Sequence, residues 1–163
     1  MKTLLIMRHA KSSWKQADLA DEQRPLNKRG QRDAPRMGQR LRKADLVPQA
    51  IISSTALRAR QTAQAVAEAS GFGGEIQFEA SLYAAPAEAY LAALRALAAD
   101  IPIAVVVGHN PGVEELVEEL TGEDEHMPTG AVARVQLSIE RWADLSAESQ
   151  GQLETILRPR EKD

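Results

Sequence analysis

Apolar residues fall along this chain in short runs that alternate with stretches of helical period. Leu4-Leu5-Ile6-Met7 is unbroken, then stops at Arg8-His9 and turns polar. Such a run predicts a strand of a parallel sheet buried on both faces, here over residues 3–8. Residues 10–26 read as a long polar loop ending in Arg24-Pro25-Leu26-Asn27, with Asn27 suited to cap a helix. That helix runs to about Lys43 with Met37 and Leu41 facing inward. Pro35 lies inside it and predicts a kink or a fresh helix there, since an interior proline costs about 3 kcal/mol. A second strand spans 50–53, followed by a helix over 56–70 that stops at Gly71. A short strand spans 76–79, and a helix spans 87–99 with Leu91, Leu94 and Ala98 on one face. Residues 103–107 are β-branched except for Ala104 and form the clearest strand of all. Gly108-His109-Asn110-Pro111-Gly112 leads from it into a helix ending near Leu120, whose exposed face and following turn carry Glu114, Glu115, Glu118, Glu119, Glu123, Asp124 and Glu125.

Two further strands, 131–139 and 152–157, have no helix between them and so predict an antiparallel hairpin. The alternation over residues 1–120 predicts an α/β fold: one three-layer α/β/α domain over residues 1–163, its sheet mostly parallel. A chain of 163 residues can bury enough surface to fold without staples.

Composition narrows the setting. The chain has no cysteine, which excludes disulfides, thiolate metal sites and a cysteine nucleophile. The first strand begins within three residues of Met1, and no apolar run reaches the length of a membrane span. The expectation is a soluble cytoplasmic protein with no membrane partner. The net charge of −3 hides an asymmetry: residues 1–60 hold 14 of the 20 Lys and Arg but 5 of the 23 Asp and Glu. An anion site built from the first half would use that excess, although α/β folds also interleave their halves. Aromatic residues make up 4% of the chain, too few for base stacking, so nucleic acid is not expected as a partner.

The chemistry gathers where strands end. Arg8-His9 follows the first strand, Ser53-Ser54 and Arg58 follow the second, and His109 follows residues 103–107. In a parallel sheet those ends share one edge, the edge where open α/β sheets bind ligands. Two imidazoles and two guanidiniums can therefore converge. Guanidinium forks match phosphate oxygens and keep their charge. A neutral imidazole attacks phosphorus, and neighbouring cations should keep it neutral by lowering its pKa. Its other ring nitrogen needs a carbonyl to fix the tautomer. The second histidine, if protonated, would donate to an equatorial oxygen. Three histidines without metal-like spacing argue against a metal site, and no cofactor is called for.

These residues resemble a known family. Leu5-Ile6-Met7-Arg8-His9-Ala10-Lys11-Ser12 resembles the Arg-His-Gly motif of the histidine phosphatase (phosphoglycerate mutase-like) superfamily. Ser53-Ser54-Thr55-Ala56-Leu57-Arg58-Ala59-Arg60-Gln61-Thr62-Ala63 is similar to its second motif, and Val107-Gly108-His109-Asn110 to its third. Arg24-Pro25-Leu26-Asn27-Lys28-Arg29-Gly30 and Arg32-Asp33-Ala34-Pro35-Arg36-Met37 are similar to the short SixA-type phosphohistidine phosphatases. The resemblance covers residues 3–130 and implies a phosphoglycerate mutase-like fold. It implies His9 as the phosphorylated nucleophile and Arg8, Arg58 and His109 as the phosphate pocket, with Ser12 as a further phosphate contact. Ala10 stands where the family usually has glycine, and Thr55 where many members have proline.

Mutase-like members carry a glutamate shortly after the third strand. Here Ala80-Ser81-Leu82-Tyr83-Ala84-Ala85-Pro86 offers no carboxylate before Glu88, while Glu79 lies within the strand. Asp21, in the polar loop, is the substitute acid, with a solvated charge or an ion pair to Arg24 as the plainer alternative. An alkoxide leaving group needs a proton in the transition state, whereas an imidazole can leave neutral. A missing acid and a chain too short for a large lid both favour phosphohistidine on another protein, of the histidine phosphotransfer or phosphocarrier type. A small phosphate ester handled by a broad phosphomonoesterase is the second reading. A non-catalytic phosphate-binding module is the third. Trp14 belongs either to the pocket rim or to a satellite of the core. His126 should be exposed in its acidic loop.

Overall fold

The computed structural model describes residues 1–148 and 150–160. Six strands form one sheet: β1 (Lys2–Arg8), β2 (Ala50–Ser54), β3 (Gln77–Glu79), β4 (Ile103–Gly108), β5 (Val132–Leu137) and β6 (Gly151–Leu157). Four helices cover it: α1 (Lys28–Lys43), α2 (Leu57–Ser70), α3 (Ala87–Arg95) and α4 (Gly112–Thr121). The strand order is β3-β2-β4-β1-β5-β6. β1, β2, β3 and β4 run parallel, β5 runs antiparallel to β1, and β6 antiparallel to β5. Among the described residues no helix is long and apolar enough to cross a membrane.

The pleat explains why β1 is apolar at every position from Leu4 to Met7. Leu4 and Ile6 point to one face and pack with Tyr90, Leu91 and Leu94 of α3 and Leu116, Val117 and Leu120 of α4. Leu5 and Met7 point to the other and pack with Met37 and Leu41 of α1 and Ala59, Ala63 and Val66 of α2. Each strand side chain alternates faces, so a strand covered on both sides has no polar positions to spare. Fully burying one such aliphatic side chain contributes roughly 1.5–3 kcal/mol.

Several expectations change. α1 continues through Pro35 from Lys28 to Lys43, and no new helix starts there. Asn27 caps it, its side chain accepting from the Gly30 N–H at 2.9 Å. Pro35 leaves the carbonyl of Gln31 without its helical bond, but Gln31 is exposed. Further along α1 the helix lies so close to α2 that a Cβ on Gly38 would stand 2.9 Å from the Val66 carbonyl oxygen and 2.8 Å from the Ala69 Cβ. That packing holds the helix across the missing bond.

α3 ends at Arg95 rather than near residue 99, and Ala98 is exposed. Carbonyls past the helix end find side-chain donors instead. The Lys2 ammonium takes the Ala99 oxygen, and the Trp142 indole takes that of Ile101 at 2.9 Å. The polar loop before α1 is also more ordered than its composition suggests. Ser12 bridges Leu26 in a short antiparallel contact, and residues Asp21–Gln23 form a 3-10 turn.

Candidate active site

Register brings the two histidines together. Arg8 of β1 lies opposite Gly108 of β4, so His9 and His109 are the next residues along adjacent parallel strands. The His9 N–H donates to the Gly108 carbonyl at 3.0 Å, and the two rings sit 5.2 Å apart, tilted by 55°. Gly108 is required there: a Cβ would fall 2.1 Å from the Tyr90 hydroxyl oxygen, which itself accepts the His109 N–H at 3.0 Å. On the far side of β1, Gly130 bonds the carbonyls of Arg8 and His9 at 3.1 and 3.0 Å, with a φ of 81° that favours glycine.

α2 starts where β2 ends and delivers Arg58 from its first turn. Two neighbours of Arg58 clamp the polar loop. The Thr62 hydroxyl accepts the Ala10 N–H at 3.0 Å and donates to the Arg58 carbonyl at 2.7 Å, and Gln61 Oε1 accepts the Leu26 N–H at 2.8 Å. Gly30 lets α1 approach the same loop, since a Cβ would meet the Lys11 carbonyl oxygen at 2.1 Å.

Arg8, His9, Arg58 and His109 line one pocket of about 210 Å³, together with Lys11, Ser12, Trp14, Arg24, Asn110 and Thr129. Ser12 lies within it, its hydroxyl accepting from Arg24 at 2.8 Å. Trp14 is 71% exposed at the rim, with the Arg24 guanidinium 3.5 Å above its ring, so it does not belong to the core. Asp21 pairs with Arg24 Nε at 3.1 Å and with Arg58 at 2.9 Å, and its backbone carbonyl accepts a second bond from Arg58 at 2.7 Å. The Tyr83 hydroxyl donates to the same carboxylate, and the Tyr83 ring stands edge-on to His109 at 5.6 Å.

The ion pair of Asp21 with Arg24, the plainer of the two readings of Asp21, is present. Arg24 as a pocket residue and Tyr83 as a partner of Asp21 carry no signal of their own in the sequence. Glu79 bonds Gln77 and Glu88 pairs with Arg95, and neither lines the pocket. His126 is exposed, as expected, and pairs with Glu114 at 2.9 Å. Glu114 is not simply part of a solvated face: it is half-buried and accepts from the Asn110 amide and the Met127 N–H. Among the described residues no cluster of His, Asp and Glu has the makings of a metal site.

Electrostatics set the protonation states. Burial pushes the His9 imidazole down to about 3, helped by His109, Arg58 and Arg8 and opposed by its bond to the Ala10 carbonyl. Burial likewise pushes His109 down to about 4, with Arg58 and Arg8 adding to the shift and Asp21 opposing it. Sequence placed the cause in the neighbouring cations; withdrawal from water is the larger part. His9 Nδ1 lies 2.8 Å from the Ala10 carbonyl, which can only accept. The proton therefore sits on Nδ1, and Nε2 carries the lone pair. Asp21 is held well below the usual carboxylate range by the Tyr83 hydroxyl and then by Arg24 and Arg58. It stands behind Arg24 and Arg58 as a carboxylate and is not among the residues that line the pocket, so in this arrangement the expected proton donor has no proton to give.

Among the described residues, three buried nitrogens of pocket-lining side chains are unpartnered, Arg8 Nε, Arg58 Nε and His109 Nδ1, as is the buried amide oxygen of Asn110. Buried polar groups are nearly always paired, so three orphans around one imidazole suit an anion.

The comparisons agree with this arrangement. The model of the histidine phosphatase superfamily (branch 1) matches residues 4–83. An uncharacterised chloroplast protein of Arabidopsis thaliana is 31% identical over 97% of this chain and 78% of its own length. Among solved structures, SixA of Nakamurella multipartitia superposes with a TM-score of 0.87 at 29% identity, covering 98% of this chain and 97% of that one. The protein histidine phosphatase SixA, solved in complex with tungstate, gives a TM-score of 0.82 at 27% identity, covering 96% of this chain and 97% of that one. With its motif residues gathered at one sheet edge and these relatives spanning nearly its whole length, the chain belongs to the histidine phosphatase superfamily.

Proposed function

We propose that this protein is a phosphatase that carries the phosphoryl group on His9 and takes it from phosphohistidine on another protein. The observation that carries the reading is the ring of unpartnered buried nitrogens on Arg8, Arg58 and His109 around an imidazole whose free nitrogen is Nε2. Arg8, Arg58 and His109 bind the phosphoryl oxygens, and Ser12 fixes Arg24 at the pocket wall. His9 Nε2 forms a bond to phosphorus as the substrate's P–N bond breaks, and the substrate imidazole, its other ring nitrogen already protonated, takes the bond's electron pair and leaves neutral. Water then attacks phosphorus, Nε2 recovers its electron pair, and orthophosphate is released. Each charge-assisted hydrogen bond to the phosphoryl group is worth roughly 1.5–3 kcal/mol.

The ionised Asp21 favours phosphohistidine over a phosphate ester. An alkoxide would need a proton from the enzyme, whereas phosphohistidine carrying a proton on its second ring nitrogen brings its own. Asp21 serves here as an anchor for Arg58, Arg24 and Tyr83 rather than as an acid. The related SixA takes tungstate, a tetrahedral oxyanion, as a ligand, which suits a phosphate-binding role for this pocket. The partner is a phosphorylated protein of the histidine phosphotransfer or phosphocarrier type. A cysteine-free chain suits the cytoplasm as the place of action.

The test is trapping. Protein mixed with a labelled phosphohistidine carrier and quenched should hold an acid-labile, alkali-stable phosphate that His9→Ala abolishes. A well-folded wild type that takes no label overturns the reading, and label surviving in His9→Ala reassigns the nucleophile. A preference for sugar phosphates or p-nitrophenyl phosphate over phosphohistidine overturns the choice of substrate.

A further inference from the structure

His109 lines the pocket and is tied to the interior through one ring nitrogen. Its Nε2 lies 2.8 Å from the hydroxyl of Ser54, while Nδ1 is buried and unpartnered. A neutral imidazole has one proton, and the ring geometry leaves open which nitrogen bears it. The hydrogen-bond inventory of Ser54 closes the question. Ser54 is fully buried at the end of β2, and its oxygen already accepts the Ala56 N–H at 3.3 Å. Its own proton needs an acceptor, and among the described residues His109 Nε2 is the one it contacts. Were Nε2 the donor, the Ser54 hydroxyl proton would be stranded in the interior, at a cost that native structures avoid.

We propose that Ser54 is a positioning residue that holds His109 as the neutral Nδ1–H tautomer, aiming that proton at an anion in the pocket. The proposal deepens the phosphatase reading and rests on it only for the identity of the anion. The surroundings agree from every side. Arg8, Arg58 and Arg24 oppose a positive charge on His109, Asp21 alone favours one, and Tyr83 and His9 contribute ring contacts. From α3, Tyr90 occupies the His109 backbone N–H and leaves the ring alone. His9 and His109 thereby carry their protons on the same ring atom for opposite ends. In His9 the Nδ1 proton is spent on the Ala10 carbonyl so that Nε2 can attack. In His109 the Nδ1 proton is kept for a ligand, because a hydroxyl occupies the nitrogen behind it.

Long-range proton–nitrogen NMR on the ligand-free protein at pH 7 reads this directly, with His109→Gln used to assign the ring among three histidines. The expected pattern is a protonated Nδ1 and an unprotonated Nε2 on His109. Ser54→Ala should mix the two tautomers and weaken orthophosphate binding about tenfold, and Ser54→Thr, which keeps the hydroxyl, should restore both. A wild-type His109 with its proton on Nε2, or protonated on both nitrogens, overturns the proposal, as does an unchanged pattern in Ser54→Ala. Because the wild-type spectrum decides the tautomer alone, a Ser54 variant that fails to fold does not matter. A correct tautomer in a protein that never becomes phosphorylated would refute the proposed function and leave this inference standing.

Discussion

At the scale of single residues, the site works by keeping two histidines uncharged. His9 at about 3 and His109 at about 4 both lie far below the ordinary imidazole value of about 6.5. The ring resonances of both should therefore stay constant from pH 5 to pH 8 in an NMR titration. A midpoint near 6.5 for either ring would show that burial does not act as described. The residue types needed for this were legible in the sequence, because Arg8, His9, Arg58 and His109 stand at strand ends and helix starts. The dominant cause was not, since desolvation depends on what packs around a side chain. Asp21 was visible as a candidate, but its company was not. Nothing in the local spacing says that Tyr83, 62 residues away, would donate to it and help hold it ionised.

At the scale of elements, the pocket depends on how α2 grips the loop after β1. Thr62 supplies the acceptor for the Ala10 N–H and sits fully buried. Thr62→Val keeps the shape and strands that donor, so it should destabilise the fold by about 1–3 kcal/mol and lower kcat by misplacing His9. Thr62→Ser should recover most of both, as measured by denaturant unfolding and by phosphohistidine turnover. Gly108→Ala should be worse, because its Cβ collides with the Tyr90 hydroxyl from which the His109 backbone hangs. Helix α1 and the two flanking strands of the site were readable from periodicity and from Asn27. Pro35 misled because its local cost is overridden by the close contact of Gly38 with Val66 and Ala69, a tertiary fact. The early end of α3 was hidden for a similar reason: carbonyls beyond it, of Ala99 and Ile101, are claimed by Lys2 and Trp142, remote in sequence.

For the whole molecule, neutral buried histidines have a thermodynamic consequence. Their folded-state pKa values lie below the unfolded value of about 6.5, so the unfolded chain binds more protons between about pH 3 and pH 6.5. Their effect on stability is absent above pH 6.5 and grows as a penalty as pH falls through that window. The urea midpoint should thus decline from pH 6.5 towards pH 4, and a His9→Gln, His109→Gln double variant should show a shallower decline. The parallel body of the sheet and its antiparallel C-terminal pair were both foreseeable, since helices separate the first four strands and none separates the last two. The order of the strands was not, yet it is the adjacency of β1 and β4 that sets the two imidazoles side by side. The chain also holds two indoles in contrasting places: Trp142 wholly enclosed, and Trp14 at the basic mouth with one face under Arg24. Its fluorescence is therefore a built-in optical gauge of occupancy, in which iodide should quench only the outer emitter and tungstate in the pocket should shield it.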